Sequence, residues 1–222
     1  MKWLSNWGEV TLKEKAKVIG IILAYFFLQM SLFTVLQPYL SFNWLTVVIT
    51  LVTTPFLLWL AWRSGFDIGD WRDIDRQIVL KAIGWALALN IGLIVYQLIL
   101  ASFGYQLGDT ANQADLNELS MQLPKWVSLL VFAVVGPILE EVLFRSLLMR
   151  YLFPKWPLFG VLFVTYLFAT AHGHRDFVEL GVYFGMGLVL AFAYLKERRL
   201  AFPILIHVFN NLYAAILMLW FS

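Results

Sequence analysis

Seven long apolar segments determine most of what this chain can fold into. Each is close to the 20 or so mostly apolar residues that a helix needs to cross the hydrocarbon core of a bilayer. The connections between them are mostly short, so the pattern predicts an all-α, polytopic transmembrane helix bundle and leaves open an eighth, re-entrant helix. The segments lie at about 17–36, 43–62, 79–103, 126–150, 156–172, 177–195 and 200–221.

The composition agrees with a membrane protein and excludes several kinds of function. The chain is 61% hydrophobic and 14% charged, against roughly 45–50% and about 25% in soluble domains. A net charge of +2 does not indicate nucleic acid as a partner. The absence of Cys excludes disulfides, a thiol nucleophile and cysteine-ligated zinc. The predicted partners are therefore the lipid bilayer and a substrate or ligand within it, and the sequence does not determine an oligomeric state.

The basic residues are distributed unevenly over the connections, and this predicts the orientation. Only Lys125 and Arg175 fall on one side of the membrane, and Arg145 lies within a predicted span. The positive-inside rule then predicts a multi-pass protein with its N-terminus in the cytoplasm and its C-terminus outside. The basic residues of the other side are Lys2, Lys13, Lys15, Lys17, Arg63, Arg72, Arg76, Lys81, Arg150, Lys155, Lys196, Arg198 and Arg199.

The two halves of the chain carry different sequence features, although the whole chain is predicted to form one bundle. Residues 1–123 hold the first three spans, of which the first is predicted to be a retained helix because a long charged stretch precedes it. This half also holds an amphipathic interfacial segment at 64–77 and a polar connection at 104–125, interpreted as a solvated loop, with a lid over the site as the alternative. Residues 124–222 carry the motifs described next.

Smaller features of the second half have plain structural interpretations. His174 and Arg175, in the polar connection HGHRD, are interpreted as a solvated turn. Gly181 and Gly185 are spaced as small residues are at contacts between membrane helices, so they predict helix packing.

Two adjacent glutamates, Glu140 and Glu141, lie inside the apolar segment 126–150, and Arg145 follows. Ionisable side chains at such depth cost a few kcal/mol each to insert and by default mark a functional site. Residues four apart share a helix face, so Glu141 and Arg145 are predicted to pair, whereas Glu140 points about 100° away. We expect Glu141 to support the site and Glu140 to be the freer carboxylate, suited to a general base.

Two histidines lie on later apolar segments. Phe168 precedes His172 by one helical turn, and Asn211 follows His207 by one turn on the same face, with Asn210 close to that face. A lone histidine in an apolar helix is more often a packed residue than a catalyst. Two of them, together with the glutamate pair, predict one polar site built from three helices.

Three spacings together resemble those of the CPBP family, the CAAX-protease and bacteriocin-processing group of intramembrane proteases, also called the ABI family. They are Glu140-Glu141-x-x-x-Arg145, Phe168-x-x-x-His172 and His207-x-x-x-Asn211, in this order within about 124–215. The resemblance implies an intramembrane endopeptidase that cleaves a membrane-associated or lipidated protein or peptide.

The resemblance also implies roles for these residues. Glu140 and His172 would activate a water molecule, and His207 and Asn211 would bind the oxyanion. Glu141, with Arg145 and Phe168, would support them. The assignment requires His172 to lie within about 10 Å of Glu140, although simple helix counting puts the two at depths roughly 10 Å or more apart.

A metal is left open by the sequence. Relatives of this kind are commonly grouped with metalloproteases, and a zinc ion held by His172, His207 and Glu140 would keep a fourth position for water. The chain has no H-E-x-x-H motif, however. The resemblance includes a metal-free glutamate mechanism, which is the slightly preferred prediction.

Other classes fit the sequence less well or remain as alternatives. Ser146, beside Arg145, lacks the small-residue setting of a rhomboid-like serine, and every Asp lies in a connection, against an aspartyl protease. Two non-enzymatic alternatives remain: a proton- or ion-coupled transporter lined by these polar groups, and a membrane scaffold or immunity protein.

Overall fold

The computed structural model describes residues 8–72, 74–105 and 108–221, and within these ranges it contains helices and no β-strand. Six helical stretches are long and apolar enough to cross a membrane, and one shorter apolar helix accompanies them. The prediction of a polytopic helix bundle is confirmed, and Lys2 lies outside the described residues. The helices are α1 (Leu12–Leu36), α2 (Phe42–Arg63), α3 (Arg76–Ser102), α4 (Ala111–Met121), α5 (Lys125–Leu130), α6 (Gly136–Glu141), α7 (Pro157–Ala171), α8 (Phe177–Glu197) and α9 (Ala201–Trp220), with π-helix at Val131–Val135 and Val142–Leu152.

Side chains that cap the helices explain where several of them begin. Thr11 and Glu14 form a reciprocal capping box at the start of α1. Asp75 and Thr110 each accept a backbone N–H at the starts of α3 and α4. Asp176 accepts two at the start of α8. These oxygens satisfy N–H groups that have no partner within the first turn of a helix.

The outer faces of the first and third spans are strongly apolar. Large side chains such as Leu23, Phe27 and Leu98 are mostly exposed on α1 and α3. Exposed apolar surface costs about 25 cal/mol per Å² in water, a cost that contact with lipid chains removes. The polar site described below is instead enclosed by α3, α7, α8 and α9 and by the fourth span, Lys125–Leu152.

The segment 64–77, predicted to be interfacial and amphipathic, contains no helix before Arg76 among its described residues. Between α2 and α3 the described residues form turns and extended chain, and Phe66 is buried in the core. Asp67 accepts from Ser146 Oγ through its backbone oxygen (2.5 Å) and pairs with Arg150 through its carboxylate (2.8 Å). These contacts tie the connection to the fourth span, and its interfacial position stays a prediction.

Glycines allow two close approaches between helices. A Cβ atom at Gly181 would collide with the Tyr96 hydroxyl of α3, which confirms helix packing at that position. A Cβ atom at Gly187 would lie 3.0 Å from the Thr165 methyl of α7. At Gly185 it would meet nothing within 4 Å. The packing prediction is therefore right for Gly181 and wrong for Gly185.

This difference gives a stability prediction with a matched control. We expect Gly187→Val to lower the free energy of unfolding by about 1–3 kcal/mol, because the added methyl groups enter a filled contact. Gly185→Val, two residues away and facing open space, should change it by at most about 0.5 kcal/mol. Denaturation of the two purified variants in the same detergent checks this, and equal stabilities would contradict the packing argument.

Candidate active site

The glutamate pair lies on a short α-helical piece between two π-helical stretches. The sequence predicts one regular α-helix here, and the structure corrects this: Gly136 donates its N–H to Val131 O, five residues back. Pro137 follows and has no N–H to donate. At the five-residue spacing of this wide turn, the carbonyl of Phe132 would accept from the N–H of residue 137. Because Pro137 has no N–H, this carbonyl is free to accept a hydrogen bond from another helix. Single wide turns of this kind are frequent at functional sites.

Glu141 is at the centre of a buried ionic cluster. Its side chain is fully buried, with Oε1 3.0 Å from Arg145 Nη1 and 2.9 Å from His207 Nδ1. Arg145 also donates to Gly187 O (3.2 Å) and lies over the Phe168 ring, 4.5 Å from its centroid. The structure thus contains the predicted ion pair. It adds His207 as a further partner of Glu141, which the spacing did not indicate.

Glu140 points toward the two histidines. Its Oε2 atom lies 3.5 Å from His172 Nε2 and 3.7 Å from His207 Nε2. Both distances exceed an ordinary hydrogen bond, and in the described part of the chain neither Glu140 Oε2 nor His207 Nε2 has a hydrogen-bond partner. Unpaired buried polar atoms are costly. Two such atoms facing each other, with His172 Nε2 beside them, therefore indicate a place where a water molecule or an ion would bind.

The hydrogen bonds of the two imidazoles assign their protons. His172 Nδ1 lies 2.7 Å from the carbonyl of Phe168, and His207 Nδ1 lies 2.9 Å from the carboxylate of Glu141. Both partners can only accept, so each Nδ1 carries a proton and each Nε2 is presented to Glu140. The Phe168-x-x-x-His172 spacing thereby has a physical reason, because the backbone carbonyl of Phe168 orients the His172 ring.

A line of amide side chains crosses from α3 to the fourth span. Asn90 donates to Ala86 O (2.8 Å) and to Asn210 Oδ1 (3.1 Å). Asn210 donates to Asn211 Oδ1 (3.2 Å), and Asn211 donates to Phe132 O (3.1 Å). Because the carbonyls of Ala86 and Phe132 at the two ends can only accept, the orientation of each side-chain amide between them is fixed. We call these three residues, Asn90, Asn210 and Asn211, the amide relay.

The relay determines what Asn211 offers to a ligand. One N–H of its amide goes to the carbonyl that Pro137 leaves free, and its oxygen is taken by Asn210. The second N–H is the group that remains for the cavity. Asn211 is thus held as a donor, as the predicted oxyanion-binding role requires. Asn90, in the half of the chain outside the motifs, was missed by the sequence analysis.

A cavity of about 300 Å³ adjoins the cluster, at the lower end of the range for ligand pockets. His172, His207 and Asn211 line it on one side. Tyr183, which the sequence analysis also missed, lines another side and stacks on the His172 ring, with centroids 4.6 Å apart. Nothing in the sequence distinguishes this tyrosine from the other aromatic residues of an apolar helix.

The polar connection 104–125 covers this cavity. Thr110 bonds to the Tyr183 hydroxyl (2.7 Å), and the N–H of Ala111 donates to Glu179 (3.1 Å). Arg175 pairs with Glu179 (2.7 Å) and donates to the backbone of Asp109, so it anchors the connection rather than forming a merely solvated turn. The described residues 108–121 thus form a partly buried cover that contains α4, although no residue of α4 is fully buried.

The same donor atoms allow a test of the metal prediction. Two Nε2 atoms with anchored Nδ1–H groups and one carboxylate oxygen are a ligand set that suits zinc, and hydrogen bonds from Nδ1–H to a carboxylate or carbonyl are typical of zinc-bound histidines. Within the described residues, however, no group of three or more His, Asp or Glu side chains is drawn together as a metal cluster. The chemistry of the donors fits a metal, and their spacing equally fits a water molecule.

The chain resembles known proteins over this region. Residues 122–213 match the family model described as Type II CAAX prenyl endopeptidase Rce1-like. The chain is 30% identical over 146 residues to the membrane-embedded CAAX protease MroQ of Staphylococcus aureus, covering 62% of this chain and 58% of the relative. It is 28% identical over 151 residues to the putative membrane peptidase YdiL of Bacillus subtilis, covering 67% and 61%. No solved structure matches it significantly.

A helical bundle with six long apolar spans and a buried Glu–His–His–Asn cluster defines an integral membrane protein with an intramembrane polar site. Over residues 122–213, which carry all three spacings, the chain is similar to CAAX-protease-like membrane proteins of the CPBP family. It spans about three-fifths of the length of the two relatives named above.

Proposed function

We propose that the protein is an intramembrane endopeptidase that hydrolyses a peptide bond of a membrane-associated polypeptide. The observation that carries this proposal is the position of Glu140 Oε2, 3.5 and 3.7 Å from the Nε2 atoms of His172 and His207. These three atoms have room for one water molecule, beside a cavity that a substrate can enter. The names of the relatives support the same class of reaction.

The proposed first step is the attack of water on the scissile carbonyl. Glu140, with His172, takes a proton from the water as the water oxygen bonds to the carbonyl carbon. The carbonyl electron pair moves onto the oxygen, and the resulting oxyanion accepts from the spare N–H of Asn211 and from His207 Nε2–H. In this mechanism His207 carries protons on both ring nitrogens from the start of the cycle to its end, with Nδ1–H held by Glu141, so this step supplies it with no proton.

The second step is the breakage of the C–N bond. The oxyanion collapses, the amine leaves, and the proton held at Glu140 and His172 passes to the leaving nitrogen. Each group therefore ends the cycle in its starting protonation state. Glu141, Arg145 and Phe168 take no part in proton transfer, and their role is to hold His207 and His172 in position.

A zinc ion remains the alternative activator of the water. His172, His207 and Glu140 would hold it, and it would supply a more acidic bound water. We keep the metal-free mechanism as the proposal because Glu140 and His172 already provide a base for the water. Elemental analysis of active, purified protein is expected to find less than about 0.1 zinc per chain. Stoichiometric zinc would contradict the metal-free mechanism if a chelator removes it together with activity and added zinc restores that activity.

The proposed activity is tested by comparing membrane and secreted peptides from cells that make either the wild-type protein or Glu140→Gln. We expect a set of fragments that disappears in Glu140→Gln while the amount of protein stays equal. If both proteins give the same peptides, and the variant still restores the phenotype of a deletion strain, the chain is a scaffold or immunity protein. A proton flux that survives in Glu140→Gln, without any Glu140-dependent fragment, would instead indicate transport.

The amide relay gives a separate kinetic prediction. Asn210→Asp replaces the amide that donates to Asn211 Oδ1 with a second acceptor. We expect the Asn211 amide to rotate, so that its N–H groups no longer point to Phe132 O and into the cavity. We expect kcat to fall about 10-fold to 100-fold with little change in KM, because a misplaced oxyanion donor acts on the transition state. Asn43→Asp is the control, since Asn43 is also buried but bonds to Leu119 O in another part of the bundle. Equal losses in both variants would contradict the relay.

A further inference from the structure

The two ends of the bundle differ in charge. One end, which we call the basic end, is formed by the connection between α2 and α3 together with residues 150–156 and 196–200. It is held together by the contacts of Asp67 with Arg150 and of Lys196 with Trp85. The Lys and Arg residues that the sequence analysis assigned to one side fall at this end, apart from Lys2, which lies outside the described residues.

The opposite end, which we call the cavity end, is acidic. It is formed by α4 and by the connection between α7 and α8, joined through Thr110 to Tyr183 and through Arg175 to Asp109. Its basic residues are Lys125 and Arg175. Its acidic residues are Asp109, Asp115, Glu118, Asp176 and Glu179.

The exposed residues among the described lining of the candidate active-site cavity, Gln97, Gly108, Asp109 and Ala214, all lie toward this second end. Gly108 and Asp109, at its rim, are exposed, and Asn112 and Gln113 of α4 line it. Met218, close to the end of α9, lines the same part. No described residue of the connection between α2 and α3, or of 150–156 or 196–200, is among those that line it.

Because Lys and Arg are enriched on the cytoplasmic side of membrane proteins, these two observations together orient the site. We propose that the candidate active site is entered from the non-cytoplasmic face. Its substrate is then a polypeptide segment exposed at that face, not the C-terminus of a protein lipidated in the cytoplasm. That this polypeptide is a substrate rests on the proposed function, but the orientation of the cavity does not depend on catalysis.

The lining of the cavity suits a peptide main chain. Gln97, Asn112 and Gln113 offer amide groups that both donate and accept hydrogen bonds, as the backbone of an extended peptide requires. Leu93, Leu116 and Met218 provide apolar surface between them. The acidic rim disfavours an anionic segment, so we expect the cleaved segment to be neutral or cationic near the scissile bond.

The chain has no Cys, which makes the orientation directly measurable. Ala114→Cys, exposed on α4, reports on the cavity end, and Gln77→Cys, exposed at the start of α3, reports on the basic end. A membrane-impermeant maleimide added to intact bacterial cells is expected to label Ala114→Cys. It should label Gln77→Cys only after the cells are permeabilised. The reverse pattern, or labelling of both variants in intact cells, overturns the proposal.

A second measurement separates this inference from the proposed function. Among fragments that depend on Glu140, cleavage sites in segments exposed outside the cytoplasm support entry from the non-cytoplasmic face, and sites in cytoplasmic segments overturn it. The absence of any Glu140-dependent fragment contradicts the peptidase activity instead. In that case the maleimide labelling still decides the orientation of the cavity.

Discussion

Glu140→Gln is expected to hydrolyse peptide about 10²-fold to 10⁴-fold more slowly than the wild-type protein, the range typical for loss of a general base. The glutamine keeps the shape of the side chain but cannot take the proton from water. Because the Glu140 side chain is 28% exposed and its buried Oε2 has no hydrogen-bond partner among the described residues, the change should cost little stability. The measurement is kcat on a peptide identified by the fragment comparison, together with the unfolding midpoint of the same preparation.

His172→Ala is expected to show a loss of similar size, and the two changes together should cost little more than either alone. Residues that act as one unit in a mechanism give strongly non-additive losses. Additive losses in the double variant would mean that Glu140 and His172 act in separate steps. Activity of Glu140→Gln close to that of the wild-type protein would remove Glu140 from the mechanism.

Glu141→Gln is expected to have the opposite profile and to destabilise the fold by about 3–5 kcal/mol, the range for breaking a buried ion pair. The change leaves the guanidinium of Arg145, which is only 1% exposed, without its carboxylate. It also removes the acceptor of His207 Nδ1. The free energy of unfolding in mixed micelles, compared with that of Glu140→Gln, measures the difference between two isosteric changes at adjacent positions.

The double variant Glu141→Gln with Arg145→Met tests the cause of this loss. It removes the uncompensated charge, so we expect it to recover a large part of the stability. Activity should remain low, because His207 still lacks the carboxylate that orients it. If Glu141→Gln proves as stable as Glu140→Gln, the ionic cluster does not hold the bundle together.

The predicted spans and the Glu141–Arg145 pair could be read from the sequence because both depend on short distances along the chain. A run of apolar residues has the same length in any fold, and residues four apart meet on any helix. The same local reasoning went wrong at the glutamates' own helix, where Pro137 and the wide turn at Gly136 replace the regular backbone. It also gave a solvated turn for Arg175, which the structure uses to anchor the cover of the cavity.

The sequence by itself determined an all-helical membrane bundle, three motifs on its later spans and a basic side. Each of these follows from hydrophobicity, spacing or charge, which the chain carries before it folds. Only the tertiary structure decided that Glu140 lies between two Nε2 atoms, that Asn90 orients Asn210 from 120 positions away, and at which end the cavity opens. These facts depend on how separate helices pack against one another, and the spacing of residues within one helix does not contain that information.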